Sequence, residues 1–143
     1  MLDVRFNQPL TVDPRGRVTL PVRLAEALRV KRLSSLVFMV VDDHLCAYTP
    51  DDFRERVEAP LGNLHALDRW EAEKQRLFLA MNTEVDVDSQ GRIVLPAPLR
   101  EEVGIDREII AISLLDRLEL WDGRRFAAWY AAAKQRSGGG EGG

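Results

Sequence analysis

Two arginines in this chain stand at the exits of near-identical turns. The segment Asp13-Pro-Arg-Gly-Arg17-Val-Thr-Leu-Pro21 recurs 75 positions later as Asp88-Ser-Gln-Gly-Arg92-Ile-Val-Leu-Pro96. An aspartate at the head of such a turn accepts hydrogen bonds from backbone N–H groups two or three residues on. The glycine supplies positive φ without steric cost, and Pro14 pre-sets φ at the second position of the first turn. The turn is therefore rigid and delivers a guanidinium to a fixed place at a strand start. A fixed guanidinium recognises guanine edges or phosphates through coplanar paired hydrogen bonds. Its other use is internal, each Arg pairing with its own Asp and only stabilising the turn. Two copies brought side by side favour the external use, because paired arginines repel unless an anion sits between them.

Enzymatic chemistry has a weaker footing. His44 and His65 fall in a hairpin turn and in a linker, and no further His or Cys stands at metal-ligand spacing. No Ser/His/Asp ordering and no Gly-rich phosphate loop is present. Asp13 and Asp88 form a repeated carboxylate pair, but the Asp-Thr/Ser-Gly context of the aspartic proteases is missing and turn capping explains them. The residues thus predict no catalytic site, no metal site, no cofactor and no small-molecule substrate. Cys46 is the one cysteine, so no intrachain disulfide forms, and in an apolar strand it reads as a small buried hydrophobe.

The elements that position the arginines also come twice. After Pro21 and Pro96 the chain reads as short helices, with Pro suited to the first helical position and Gly104 to the left-handed position past the helix end. Apolar runs follow, Leu36–Val41 and Ile109–Leu115, each bounded by a polar turn (Asp42-Asp43-His44 and Asp116-Arg117) and a second short run, Leu45–Tyr48 and Leu118–Trp121. These pairs predict β-hairpins. Each half ends in a helical start with matching Phe53 and Phe126. A half of about 45 residues rarely buries enough surface alone, so two halves building one core are expected. Between them, Leu64, Leu67, Trp70, Leu77, Phe78 and Met81 recur at spacings near three and four, which predicts an amphipathic packing helix.

Composition sets outer bounds. At 143 residues with a net charge of −3, the chain is not a bulk polycation. Residues 1–34 nevertheless hold seven cations (Arg5, Arg15, Arg17, Arg23, Arg29, Lys31, Arg32) against three anions, a local basic face compatible with nucleic acid. No charged start with a long apolar core is present, and no apolar run approaches the ~20 residues that span a bilayer. A soluble, cytoplasmic protein is expected. Ser137–Gly143 has nothing to bury and is predicted to be disordered.

These residues carry a resemblance. The two Asp-x-x-Gly-Arg turns at this separation, each followed by Val/Ile-x-Leu-Pro, are joined by Gln75-Arg-Leu-Phe78 ahead of Glu84-Val-Asp-Val-Asp88, and by Leu118-Glu-Leu-Trp121. Over about residues 5–130 the chain resembles the MraZ family of bacterial transcriptional regulators, associated with the division and cell-wall gene cluster. The resemblance implies an α+β, mainly β fold: a tandem swapped-hairpin β-barrel of the SpoVT/AbrB type, pseudo-two-fold symmetric, with packing helices. The expected organisation is a first repeat over 5–53, a helical linker over 54–82, a second repeat over 83–126, and a helix end with the Gly-rich tail over 127–143. It also implies ring-shaped homo-oligomers on direct repeats in promoter DNA, and hence a nucleoid-associated protein. Carried onto this sequence, Asp13, Arg15 and Arg17 form the first DNA loop, and Asp88 and Arg92 the second. Gln90 replaces the cation Arg15 in the second turn, so the first loop is expected to grip harder. The competing reading is an oligomeric structural or interaction ring with a protein partner. An AbrB-like antitoxin is disfavoured, since such chains carry one repeat and a toxin-binding tail.

Overall fold

The hairpins predicted from the apolar runs form the middle of the molecule. In the computed structural model, which describes residues 4–62, 69–114 and 116–141, strand β3 (Ser35–Val41) pairs with β4 (His44–Tyr48), and β7 (Glu108–Ser113) with β8 (Leu118–Asp122). Strands β4 and β8 pair with each other, joining the two hairpins. The outer positions are exchanged between halves. Strand β1 (Asn7–Thr11) lies on β7 of the second half, and β5 (Thr83–Asp86) lies on β3 of the first. The six-stranded order β1-β7-β8-β4-β3-β5 becomes its own reverse when the halves are interchanged. Neither half therefore completes a sheet alone, which is how two undersized units obtain one core.

Strand alternation divides the sheet's side chains between two faces. Leu36, Phe38, Leu45, Ala47, Leu118 and Leu120 point to one face and join Leu24 and Leu28 of helix α1 (Val22–Val30) and Leu99 of helix α5 (Ala97–Glu102) in a single buried cluster. Val37, Met39 and Cys46 point to the other, against Phe53 of α2 (Pro50–Phe53). Thr49 caps α2, accepting from the Asp52 amide. The chain continues through a π-helical turn (Arg54–Glu58) into α3 (Ala59–Gly62). Helix α6 (Gly123–Glu141) closes the second half, its first amides held by Asp122 Oδ2.

The repeated helices end alike by different residues. In α5 the amide of Gly104 donates to the Glu101 carbonyl and that of Ile105 to Arg100; in α1 the amides of Arg32 and Leu33 reach Arg29 and Leu28 in the same pattern. Both are the two-bond C-terminal motif with a left-handed residue past the cap. Gly104 takes φ 67°, as the sequence predicts, whereas Arg32 is forced to φ 58° without a glycine's freedom.

Several expectations are revised. The sheet stays open, and no closed barrel forms among the described residues. The tight turns redirect the chain after β1 and β5, so β2 (Arg17–Thr19) and β6 (Arg92–Val94) leave the large sheet and pair with each other. Pro21 and Pro96 sit one position earlier than predicted, as the helix caps themselves. The linker helix α4 (Arg69–Ala80) forms, anchored where Gln75 Nε2 donates to the Leu61 carbonyl at 2.7 Å. Met81 packs on the core, whereas Leu77 is 75% exposed. Leu64, His65 and Leu67 lie outside the described residues. Helix α6 runs on through Ser137–Glu141, past the point where burial ceases, because adding a residue to a formed helix costs far less than nucleating one. No helix among the described residues is long and apolar enough to cross a membrane.

Candidate nucleic-acid interface

Each turn is built as its sequence dictates. Asp13 Oδ1 accepts the Arg15 and Arg17 amides at 2.9 and 2.8 Å, while its Oδ2 accepts Arg17 Nε at 2.7 Å. Asp88 repeats the set with the Gln90 and Arg92 amides, both at 2.9 Å, and Arg92 Nε at 3.1 Å. Gly16 and Gly91 take φ 83° and 76°. The backbone N–H of Arg17, then its side chain, holds the Asp13 carboxyl below its ordinary 3.8. At Asp88 the Arg92 amide is the main cause of the same lowering. The internal pairing of Arg with its own Asp is thus real in both copies. It engages Nε alone, and the terminal nitrogens of each guanidinium carry four further N–H donors.

The two turns are locked to each other. The Gly16 carbonyl accepts the Leu95 amide at 2.8 Å, and the Gly91 carbonyl accepts the Leu20 amide at 2.9 Å. Between them β2 and β6 pair antiparallel, Arg17 opposite Val94 and Thr19 opposite Arg92. Val18 and Ile93 at the centre of this ribbon point into the core. Alternation then turns Arg17, Thr19, Arg92 and Val94 to the other side, with Thr19 and Val94 exposed and both arginines half-buried. Arg17 and Arg92 together line two open clefts, one floored by Leu10, Thr11 and Asp13, the other by Val85, Asp86 and Asp88. Arg15 stands exposed at the tip of the first turn, with Gln90 exposed at the tip of the second. Of the residues named from the sequence, Asp13, Arg17, Asp88 and Arg92 line these two clefts.

Comparison with known proteins agrees with this frame. A family model described as "MraZ protein, putative antitoxin-like" matches residues 78–138. The "Transcriptional regulator MraZ" of Shewanella sp. (strain W3-18-1) and that of Shewanella baltica (strain OS155 / ATCC BAA-1091) are each 34% identical over 119 residues, spanning 82% of this chain and 78% of theirs. The protein of that name from Shewanella sp. (strain ANA-3) is 33% identical over the same length. The chain belongs to the MraZ family. Within the MraZ frame the matched length takes in more than a single repeat, as the interleaved sheet requires.

This MraZ-family chain also holds a buried polar cluster that sequence reasoning did not assemble. On the outer sheet face, Cys46 stands directly opposite Glu119 across β4 and β8. His44 Nε2 lies 3.2 Å from Glu119 Oε2, Arg117 Nη2 lies 3.1 Å from the same oxygen, and Trp121 Nε1 donates to Oε1 at 3.0 Å. His44 stacks on Trp121 with ring centroids 4.3 Å apart. The His44–Glu119 contact is close but not angled as a hydrogen bond, and neither ring nitrogen has a hydrogen-bond partner; the attraction is one of charge. Burial disfavours the imidazolium, but Cys46 and the Glu119 carboxylate outweigh it and raise His44 from 6.5 to about 10. Burial likewise opposes the Glu119 carboxylate, and His44, Trp121 and Arg117 overcome it, lowering the group to about 2. The readable signal was period-two alternation: His44 and Cys46 share one strand face, as do Glu119 and Trp121. Reading the hairpin turn through His44 placed that histidine in a loop and hid the grouping.

Proposed function

We propose that the protein is a sequence-specific DNA-binding transcriptional regulator that reads promoter DNA with the β2–β6 ribbon and its two flanking turns. The observation that carries this reading is the locked, pseudo-symmetric pair of turns with Arg17 and Arg92 on one exposed ribbon. A two-stranded antiparallel ribbon fits the major groove, about 12 Å wide. In this reading Arg17 and Arg92 contact guanine edges or phosphates, Arg15 adds a contact from the first turn, and Asp13 and Asp88 act as positioning residues that hold each guanidinium by Nε. Thr19 and Val94 offer methyl groups beside the arginines, suited to thymine. The names of the Shewanella relatives support the class of function.

One chain offers few cations, so a monomer binds weakly. We infer a ring-shaped homo-oligomer on direct repeats near division and cell-wall genes, where linked contacts gain by effective concentration. The exposed aromatics Trp129 and Tyr130 on α6 support self-association, and the exchange of β1 and β5 between halves supports the AbrB-type topology, with repeats over 5–53 and 83–126 around the 54–82 linker. The same reading makes the protein cytoplasmic and nucleoid-associated. A mobility-shift titration with the protein's own upstream DNA tests the proposal. The upstream fragment should be retained in preference to a scrambled one, and retention should weaken steeply between low and moderate salt as counterions are released. Equal retention of both fragments would reject sequence-specific regulation.

A further inference from the structure

The buried cluster on the outer sheet face has the chemistry of a metal site. We propose that His44, Cys46 and Glu119 bind a divalent transition-metal ion of the zinc type, across the strand pair that joins the two halves. Ligand atoms of the three side chains lie within 4.8 Å of one another, and all three residues are buried. Nε2 of His44 is 3.2 Å and Sγ of Cys46 is 4.0 Å from Glu119 Oε2. Imidazole, thiolate and carboxylate on one tetrahedral ion stand about 3.3–3.6 Å apart, so small side-chain movements close the set.

A second observation points to a ligand independently. Both ring nitrogens of His44 are buried without a hydrogen-bond partner, on a residue 7% exposed. Buried polar atoms are almost always satisfied, so a pair met only by off-angle carboxylate contacts calls for an explanation, and a bound ion supplies one. The surroundings hold the ligands in place. Trp121 ties down Glu119 Oε1 and leaves Oε2 facing the site. Trp121 also stacks on the imidazole and fixes its plane. Asp43 Oδ1, 3.6 Å from His44 Nδ1, is placed to hold the imidazole by its other nitrogen, the usual outer support of a metal-bound histidine. Binding displaces the imidazolium proton of His44 and the thiol proton of Cys46 to solvent; neutral imidazole, thiolate and carboxylate then balance a divalent ion, so the ion and its three ligands carry no net charge. Zinc would leave one coordination position open, or filled by water.

Arg117 is an opposing cation. Its Nε and Nη2 both hold Glu119 Oε2 at 3.1 Å, while its Nη1 holds Asp116 at 2.7 Å; the ion must displace the first two contacts, and the third gives the guanidinium a partner to withdraw to. Positions 44, 46 and 117, 119 are equivalents under the 73-residue offset of the hairpins. The site therefore straddles the cross-half pair, where equivalent positions carry different residues, and a bound ion would tie the halves together through its binding energy.

Titration of the intact reduced protein with Co2+ alone, followed by Zn2+, tests the site. A thiolate-to-cobalt charge-transfer band should grow to one equivalent and vanish on adding Zn2+. Cys46→Ala, a small change at a core position, should keep its far-ultraviolet dichroism and lose the band. Arg117→Ala should bind Co2+ at least tenfold more tightly, since the competitor for Oε2 is gone. Absence of the band in the native protein would overturn the proposal, as would its persistence in Cys46→Ala. An unchanged affinity in Arg117→Ala would remove Glu119 from the ligand set and overturn the site as drawn.

Discussion

Asp13 and Asp88 accept matched sets of three hydrogen bonds, and the glycines after them take nearly the same φ, yet the turns carry different side chains at their tips. The first presents Pro14 and Arg15, the second Ser89 and Gln90. The first Asp–Arg contact is also shorter, 2.7 against 3.1 Å. The backbone and the two exit arginines are what the repeat preserves; the tip charge and stiffness are what it lets vary. A pseudo-symmetric face of this kind has one architecture and two strengths of grip.

The largest break in that comparison comes from losing both arginines. Arg17→Ala with Arg92→Ala should weaken binding to the protein's upstream DNA about a hundredfold or more, since each paired base contact is worth ~1–3 kcal/mol; a mobility shift reads this. Taken singly, Arg17→Ala should cost more than Arg92→Ala, and equal losses would end the claim of unequal grip. Arg15→Gln copies the second turn's tip onto the first. It should lower affinity less than either and reduce the salt slope by about one.

Stability separates the turns in the opposite sense. A Cβ on Gly91 would lie 2.9 Å from the Ala25 methyl, whereas on Gly16 it would first meet the Leu95 carbonyl oxygen at 3.1 Å. Left-handed backbone costs an ordinary residue ~1–2 kcal/mol, and overpacking against α1 adds to it at position 91. Thermal unfolding of Gly91→Ala should therefore fall further than that of Gly16→Ala. The helix ends give a smaller contrast: Arg32→Gly should raise stability by ~0.5–1 kcal/mol, while Gly104→Ala should lower it, at φ 67° and against Arg125.

The smallest effect is in acid. Both turn carboxyls titrate below 3.8. A lowered folded-state pKa means that their contribution is present above 3.8 and is lost as pH falls through the folded value. Carboxyl chemical shifts should show Arg17→Ala raising Asp13 by more than Arg92→Ala raises Asp88, because the Arg17 Nε contact to its carboxylate is the shorter, 2.7 against 3.1 Å. The reverse order would contradict the tighter first contact.

Much of this was legible in the chain. The turns are written in Asp, Gly and Arg at fixed spacing, and local hydrogen bonds enforce them whatever the rest of the fold does. The hairpins follow from short apolar runs bounded by polar turns. The exchange of β1 and β5 follows from no local signal, because pairing partners 45 or more residues apart are chosen by the shared core. The open sheet was missed for the same reason: the turns redirect the chain more sharply than the resemblance suggests. Leu77 shows that helical spacing locates a face without saying that anything covers it. The His44–Cys46–Glu119 grouping needed both strand alternation and cross-half register, and only the first of these is visible along the sequence.

Hydrogen–deuterium exchange of the protein with and without its upstream DNA tests the central claim most directly. Protection should concentrate in residues 13–19 and 88–94, with the larger gain in the first segment. Protection confined to α6 or the hairpin turns, with those two segments unchanged, would contradict the account.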